Sequence, residues 1–257
     1  MNKTDEEIII SKALDILVLE LSRIQISISH DTGDGRLDSA VNEDSVISSL
    51  CNIAATNDYF RNNNLKIGTP NIDSNNNRAW YDFSIESRIS NQNDYFFPVN
   101  IKITDLDGGG ADNLSCKMGI FYALTGRLPA SINLSNSVGW EKFFKLTDVH
   151  MAQNTHKDYY FLVIDKRNSS RVFWNSLRSL RTLVENGNNL PFQCIWKDNM
   201  DKYERSYYSA RKFILIHLKG SIEKRERIGT SFRKYLDKYI YSCENQIDSK
   251  STGALNE

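Results

Sequence analysis

The chain has 257 residues and a mass of 29.5 kDa, with 40% hydrophobic and 25% charged residues; that is enough apolar surface for one large domain or two small ones, and it excludes a chain disordered throughout. Its 32 basic and 32 acidic residues cancel, so net charge designates neither a polyanion nor a membrane as partner, and any such preference has to reside in local distribution. That distribution is uneven: residues 1–60 carry four basic against eleven acidic residues and residues 197–240 carry twelve basic against six acidic, with Lys166, Arg167, Arg171, Arg178 and Arg181 just upstream.

The opening MNKTDEE is acidic where a secretory signal carries positive charge, and the most apolar stretch, residues 13–21, is interrupted by Asp15 and Glu20. Cys51, Cys116, Cys194 and Cys243 lie far apart with no CxxC pair, which argues against a disulfide framework or a zinc knuckle. A reducing, cytoplasmic location is the expectation.

Thr4 with Glu7 fits a capping box, and Ile10, Ala13, Leu14, Leu17, Leu21, Ile24 and Ile28 recur at helical spacing, which predicts a long amphipathic helix. After the turn-rich HDTGDGRLDS, a second helix is expected from about Asn42, with Val46, Leu50, Ile53 and Ala54 as its apolar stripe. Residues 57–77, with two asparagine runs, read as an irregular surface loop in preference to a base-reading one. Two strands follow. In AWYDFSIESRI the side chains of Ala79, Tyr81, Phe83 and Ile85 alternate with Trp80, Asp82, Ser84 and Glu86; in FPVNIKIT, Val99, Ile101 and Ile103 alternate with Asn100, Lys102 and Thr104. The linking NQND is turn chemistry, so an antiparallel hairpin is expected.

The flexible DLDGGG then leads into a helix capped by Asp112 or Asn113 and ended by Gly126. Residues 159–165 and 171–175 read as strands, 176–185 as a helix and PFQCIW as a further strand. Residues 203–243 read as helical and basic, and the tail from 246 as disordered. No repeat or Pro/Gly-rich linker divides the chain, so the expectation is one α/β (α+β) domain over residues 1–245, comprising the N-terminal helix (1–30), a core (42–200) and the basic helical part (201–245).

The most informative constellation is Asp82 with Asn100-Ile101-Lys102 on the neighbouring strand. Phosphodiester hydrolysis needs a hard cation held by oxygen ligands and a group that orients water. Asp82 would hold Mg²⁺, the Asn100 amide oxygen or the Ile101 carbonyl would complete the coordination, and Lys102 would position water or stabilise the leaving charge. The competing reading of the same residues is a solvated sheet face with a cross-strand salt bridge.

WYDFSI, PVNIKIT and GGADNLSCKMGIFYALTG resemble the core of type II restriction endonucleases of the PD-(D/E)xK superfamily. KDYYFLVIDK, NSLRSLRTLVENGNNLPFQCIW and the basic segment 206–227 extend the resemblance over roughly residues 42–227. It implies a restriction-endonuclease-like core with a mixed central sheet flanked by helices. By position, Asp82 matches the first acidic ligand and Lys102 the motif lysine, while Asn100 stands where the family has Asp or Glu. An amide is a neutral, weaker Mg²⁺ ligand, so help from Glu86 on the same face is one remedy. An acid on the preceding helix commonly supports such sites; Glu43 is the candidate and Asp44 the alternative, both also readable as ordinary N-terminal helix charges.

The glycine run places Asn113, Ser115 and Lys117 as candidate phosphate or base contacts, against the alternative of a flexible connection and helix cap. In the basic segment, Arg205, Arg211, Lys212, Lys219, Lys224, Arg225 and Arg227 interleave with Tyr203, Tyr207 and Tyr208, which suits a helix laid on a duplex or, equally, a solvated helix surface. The function so implied is a type II site-specific deoxyribonuclease that cleaves double-stranded DNA with Mg²⁺ by direct attack of water, leaving 5′-phosphate ends. Two-fold recognition sites imply a homodimer, and a restriction–modification system implies a DNA methyltransferase as functional partner. The alternatives are a repair nuclease with the same core and a non-catalytic DNA-binding protein.

Overall fold

The computed structural model describes residues 4–24, 26, 28, 35–70, 79–87, 95–114, 116–135, 137–151, 155–188, 191–225 and 230–253. In chain order the elements are α1 (Asp5–Arg23), α2 (Gly35–Thr56), α3 (Asp58–Asn62), β1 (Leu65–Gly68), β2 (Phe83–Ser87), β3 (Phe96–Thr104), β4 (Asp112–Asn113), α4 (Lys117–Thr125), α5 (Trp140–His150), β5 (Tyr160–Asp165), β6 (Val172–Ser176), β7 (Val184–Glu185), β8 (Phe192–Cys194), α6 (Tyr207–Glu223) and α7 (Thr230–Gly253). This is a mixed α/β protein with a five-stranded sheet ordered β1-β2-β3-β5-β6 and a small antiparallel sheet ordered β4-β8-β7.

The chain forms two compact units. One comprises Asn2–Gly110 with Tyr159–Asn175; the other comprises Ala111–Asp158 with Ser176–Glu257. Each unit is discontinuous in sequence, so no single stretch of linker composition marks the division.

In the first unit α1 starts at the expected capping box, with Thr4 accepting from the Glu7 backbone and Glu7 reaching back to Thr4. Its stripe of Ile10, Leu14, Leu17 and Leu21 is fully buried with Val46 and Leu50 of α2 and with Phe83, Ile85, Phe97, Val99 and Ile101 of the sheet. Period 3.6 on the helices and period 2 on the strands thus converge on one core. The expected hairpin is present: β2 and β3 pair antiparallel with Phe83 opposite Val99, and β3 runs parallel to β5 with Ile101 opposite Leu162. All six residues of β5 are buried, as a central strand covered on both faces requires.

Four local expectations need correction here. Helix α2 begins at Gly35, seven residues before Asn42, because a glycine at a helix start costs far less than one in the interior. The asparagine-rich stretch is structured in part: Asn57 caps α3 by accepting from Tyr59 N–H, and buried Phe60 and Leu65 anchor α3 and β1. The strand expected from Ala79 starts only at Phe83. The tail expected to be disordered from residue 246 instead continues α7 to Gly253.

In the second unit, α4 starts at Lys117 with Cys116 as its cap, and Asp112 and Asn113 lie in β4 instead; Gly126 closes the helix in the left-handed region at φ 69°, as expected. The helix expected over 176–185 is absent. A single turn at Leu177–Ser179 is followed by β7. The backbone groups that a helix would pair internally are taken from outside: Arg205 donates to the carbonyls of Leu180 (2.6 Å) and Arg181 (3.2 Å), Tyr203 N–H donates to Ser179 C=O, and Thr182 N–H donates to Asn199 Oδ1. The basic C-terminal stretch is helical as expected and forms two helices, α6 and α7.

The turn NQND, Ser115, Arg227, the runs at 29–34 and 75–77 and the last four residues lie outside the described residues.

Candidate active site

The site expected around Asp82 is built where β2 begins. Regular continuation of the β2–β3 ladder would set the carbonyl of residue 81 against Ile101 N–H. Instead the chain bends, Asp82 N–H donates to Val99 C=O (2.9 Å), and the Asp82 carboxylate accepts the Ile101 N–H at 2.6 Å. A side chain therefore replaces the ladder, and Asp82 is fixed against the middle of β3. The Ile101 side chain is anchored in the core. Its carbonyl points to the same edge as its N–H, because both groups of one strand residue face one neighbour.

Asn100 and Lys102 flank Ile101 and, by strand alternation, share the opposite face. The Asn100 Oδ1 atom is buried and has no hydrogen-bond partner among the described residues, although buried amide oxygens are ordinarily satisfied. Asp82 is largely removed from water, and this desolvation pushes its pKa from 3.8 to about 6. The Ile101 N–H opposes the rise, the nearby Glu43 carboxylate adds to it, and the Lys102 ammonium opposes it. Thus Asp82 in the bend before β2, Ile101 and Lys102 on β3 and Glu43 on α2 are brought into one electrostatic neighbourhood, with Asn100 between Val99 and Ile101, the two residues that Asp82 bonds.

The two other acids considered with them stand differently. Asp44 is exposed on α2, and it is the Glu43 charge that bears on Asp82. Glu86 is four residues along the strand from Asp82, roughly 13 Å at about 3.3 Å per residue. Its carboxylate accepts from Ser84 Oγ at 2.5 Å and pairs with Lys66 at 3.7 Å. Of Glu43 and Glu86, it is the Glu43 charge that acts on Asp82, while the Glu86 carboxylate is engaged with Ser84 and Lys66.

Among the described residues no group of three or more His, Cys, Asp and Glu side chains is arranged to hold a metal ion. The donors at Asp82 are of a different make-up: two carboxylates, one amide oxygen and one backbone carbonyl. All are hard oxygen ligands, the type that suits Mg²⁺, and the unpartnered Asn100 oxygen fits that use.

The expected DNA contacts lie in the second unit and are largely occupied. Asn113 is exposed on β4, with its Oδ1 accepting from Gln193 Nε2 at 2.9 Å. Lys117 donates to the Val138 carbonyl and lies over the Trp140 ring at 5.3 Å, and burial lowers its pKa. Arg211 is 4% exposed, with Nε against Cys243 Sγ at 2.9 Å and its guanidinium over Tyr207 and Tyr208. It is a core residue of the α6–α7 pair and not a phosphate contact. Lys212 is at the surface in an ion pair with Glu244 (2.8 Å), and Lys219 and Lys224 pair with Asp237 and Glu185. Much of the basic character of α6 is thus matched by acids within the same unit.

Sequence reasoning missed the aromatic surround. Tyr159 and Phe161 share a face with Asn100 by the β3–β5 register, and both are buried. The Tyr159 ring packs on Phe161 (5.0 Å) and on Trp80 (5.8 Å), and Trp80 packs on Tyr81 and Phe96. Because YYFLVID is apolar at every position but its last, alternation does not reveal which of its residues face the site.

No helix among the described residues is long and apolar enough to cross a membrane. No protein-family model and no curated protein matches the chain.

Proposed function

We propose that the protein is a Mg²⁺-dependent deoxyribonuclease of the type II restriction class, with a restriction-endonuclease-like core. The observation that carries this reading is a desolvated Asp82 carboxylate bonded to the Ile101 N–H, with the charges of Glu43 and Lys102 in reach, beside an Asn100 amide oxygen that is buried without a hydrogen-bond partner among the described residues. Asp82 and Glu43 would hold the cation, with Asn100 Oδ1 and the Ile101 carbonyl as neutral donors. Bound there, Mg²⁺ would neutralise charge on the scissile phosphate and acidify water.

The residues of the chain do the rest. Asp82, held by the Ile101 N–H, keeps a fixed anion at the foot of β2. Lys102 places a positive charge beside it, suited to orient the attacking water or to stabilise charge on the phosphate oxygens. Water attacks phosphorus, the bond to the 3′ oxygen breaks, and the 5′ end keeps the phosphate. Double-stranded DNA as substrate, a homodimer matched to a two-fold site and a methyltransferase that protects host DNA complete the proposal.

A non-catalytic DNA binder is the second reading, favoured by one residue: Asn100 puts a neutral ligand where a carboxylate would bind Mg²⁺ more tightly. One experiment separates the two. Purified protein is incubated with unmethylated phage DNA in Mg²⁺ or in EDTA, beside Lys102→Ala. Discrete fragments that require both Mg²⁺ and Lys102 support the restriction enzyme. A smear indicates a non-specific or repair nuclease, and intact but gel-retarded DNA indicates the binder.

A further inference from the structure

We propose that Tyr159 is a positioning residue that holds Asp82 in place by pinning the backbone just before it. The inference rests on the reading of Asp82 as the functional carboxylate, and it names a residue outside the ligand set.

Asp82 sits in a bend that the β2–β3 ladder does not stabilise, since β2 begins only at Phe83. Besides the Asp82 carboxylate, which takes the Ile101 N–H, the backbone of that bend enters two further polar bonds. One is from Asp82 N–H to Val99. The other is from the Tyr159 hydroxyl to the Trp80 carbonyl, at 2.7 Å and across 79 residues of sequence. In the sheet order β2-β3-β5, Tyr159 immediately precedes β5 and Trp80 lies in the bend that precedes β2, so the hydroxyl ties together the segments leading into two strands that flank β3. The bond is partly buried, with Tyr159 itself 3% exposed. Ring packing of Tyr159 on Phe161 and Trp80 fixes the approach of the hydroxyl. The Trp80 carbonyl is two residues from Asp82. A shift of an ångström there would move a carboxylate whose hydrogen bond to Ile101 is only 2.6 Å long, and catalytic geometry tolerates little displacement of this kind.

The hydroxyl can be removed without the ring by Tyr159→Phe. A matched control exists in the other unit: the Tyr207 hydroxyl donates to the Leu124 carbonyl at 2.8 Å, also buried, so Tyr207→Phe removes a bond of the same kind far along the chain from Asp82. Full-length wild type and both variants are compared without metal by amide hydrogen exchange, read at Ile101 and along β5, and then by calorimetric titration with Mg²⁺. Loss of one buried hydrogen bond is worth up to about tenfold in an equilibrium. Tyr159→Phe should therefore accelerate Ile101 exchange about tenfold relative to the β5 amides and weaken Mg²⁺ binding by about the same factor, while Tyr207→Phe changes neither. Unchanged Ile101 exchange in Tyr159→Phe, or uniform acceleration across β3 and β5, overturns the positioning role. Selective acceleration at Ile101 in a wild-type background that binds no Mg²⁺ upholds the positioning and overturns the metal-dependent reading instead.

Discussion

Replacing Asp82 with asparagine should stabilise the metal-free protein at neutral pH, an unusual outcome for a substitution at a partly buried polar residue. Burial raises the pKa of this carboxyl from 3.8 to about 6. Between those values the folded protein holds a proton that the unfolded chain releases, so the free energy of unfolding falls as pH rises through this window and stays lower above it. A rise of about 2 in pKa at ~1.4 kcal/mol each corresponds to ~3 kcal/mol, an upper limit because the side chain retains some solvent contact. The amide introduced by the substitution keeps an oxygen to accept the Ile101 N–H and carries no charge. Metal-free Asp82→Asn should therefore exceed wild type by roughly 1–3 kcal/mol near pH 8, with the difference vanishing near pH 4. Urea unfolding in EDTA at the two pH values measures this directly. Added Mg²⁺ should reverse the order, since a ligand of the folded state stabilises only the chain that binds it. A variant less stable than wild type at both pH values, or a gap independent of pH, would falsify the claim that the Asp82 charge is held at a cost that a cation relieves.

Other substitutions test the same electrostatic neighbourhood. Glu43→Gln removes a like charge and should lower the Asp82 pKa below about 6, whereas Lys102→Ala removes an opposite charge and should raise it; carbon-13 NMR titration of the Asp82 carboxyl in metal-free protein reads both, and shifts of the same sign would refute the arrangement. Asn100→Asp adds a third carboxylate to the neighbourhood of Asp82 and Glu43, so the metal-free protein should lose about 1–3 kcal/mol at neutral pH while Mg²⁺ binding tightens in calorimetry. In the second unit, Arg211→Ala should cost several times more stability in urea than Lys212→Ala. The first empties a buried, stacked site between α6 and α7; the second breaks an exposed ion pair worth less than ~1 kcal/mol. If Lys212 meets phosphate in the proposed complex, its loss should also reduce the salt dependence of DNA binding by about one ion.

What was legible in the sequence, and what was not, follows from how far apart the interacting residues lie. The α1 stripe, the β2–β3 pairing and the mixed α/β class come from periodicity within short windows, and there the physics is local: alternation on two strands close in sequence brings Phe83 opposite Val99. That Asp82 comes near Ile101 and Lys102 was legible from the pairing of the two strands, but the bend at Asp82, whose carboxylate takes the Ile101 N–H in place of a ladder bond, was not. Glu43 was reached through resemblance, and only the packing of α2 on the sheet distinguishes it from Asp44 or Glu86. The failures have one cause. In 176–185 the leucine spacing fits a helix, yet the carbonyls of Leu180 and Arg181 are taken by Arg205 from more than twenty residues away. Arg211 reads as a phosphate ligand by charge, yet Cys243 and two tyrosines bury it. Tyr159 reads as one aromatic in an apolar strand, yet its hydroxyl closes on Trp80 in the bend before β2. A cation or a hydroxyl has many possible partners, and sequence spacing constrains that choice only within one element. The residues most worth mutating are therefore those whose polar atoms are satisfied at long range, where a single atom decides between a structural tie and a functional contact.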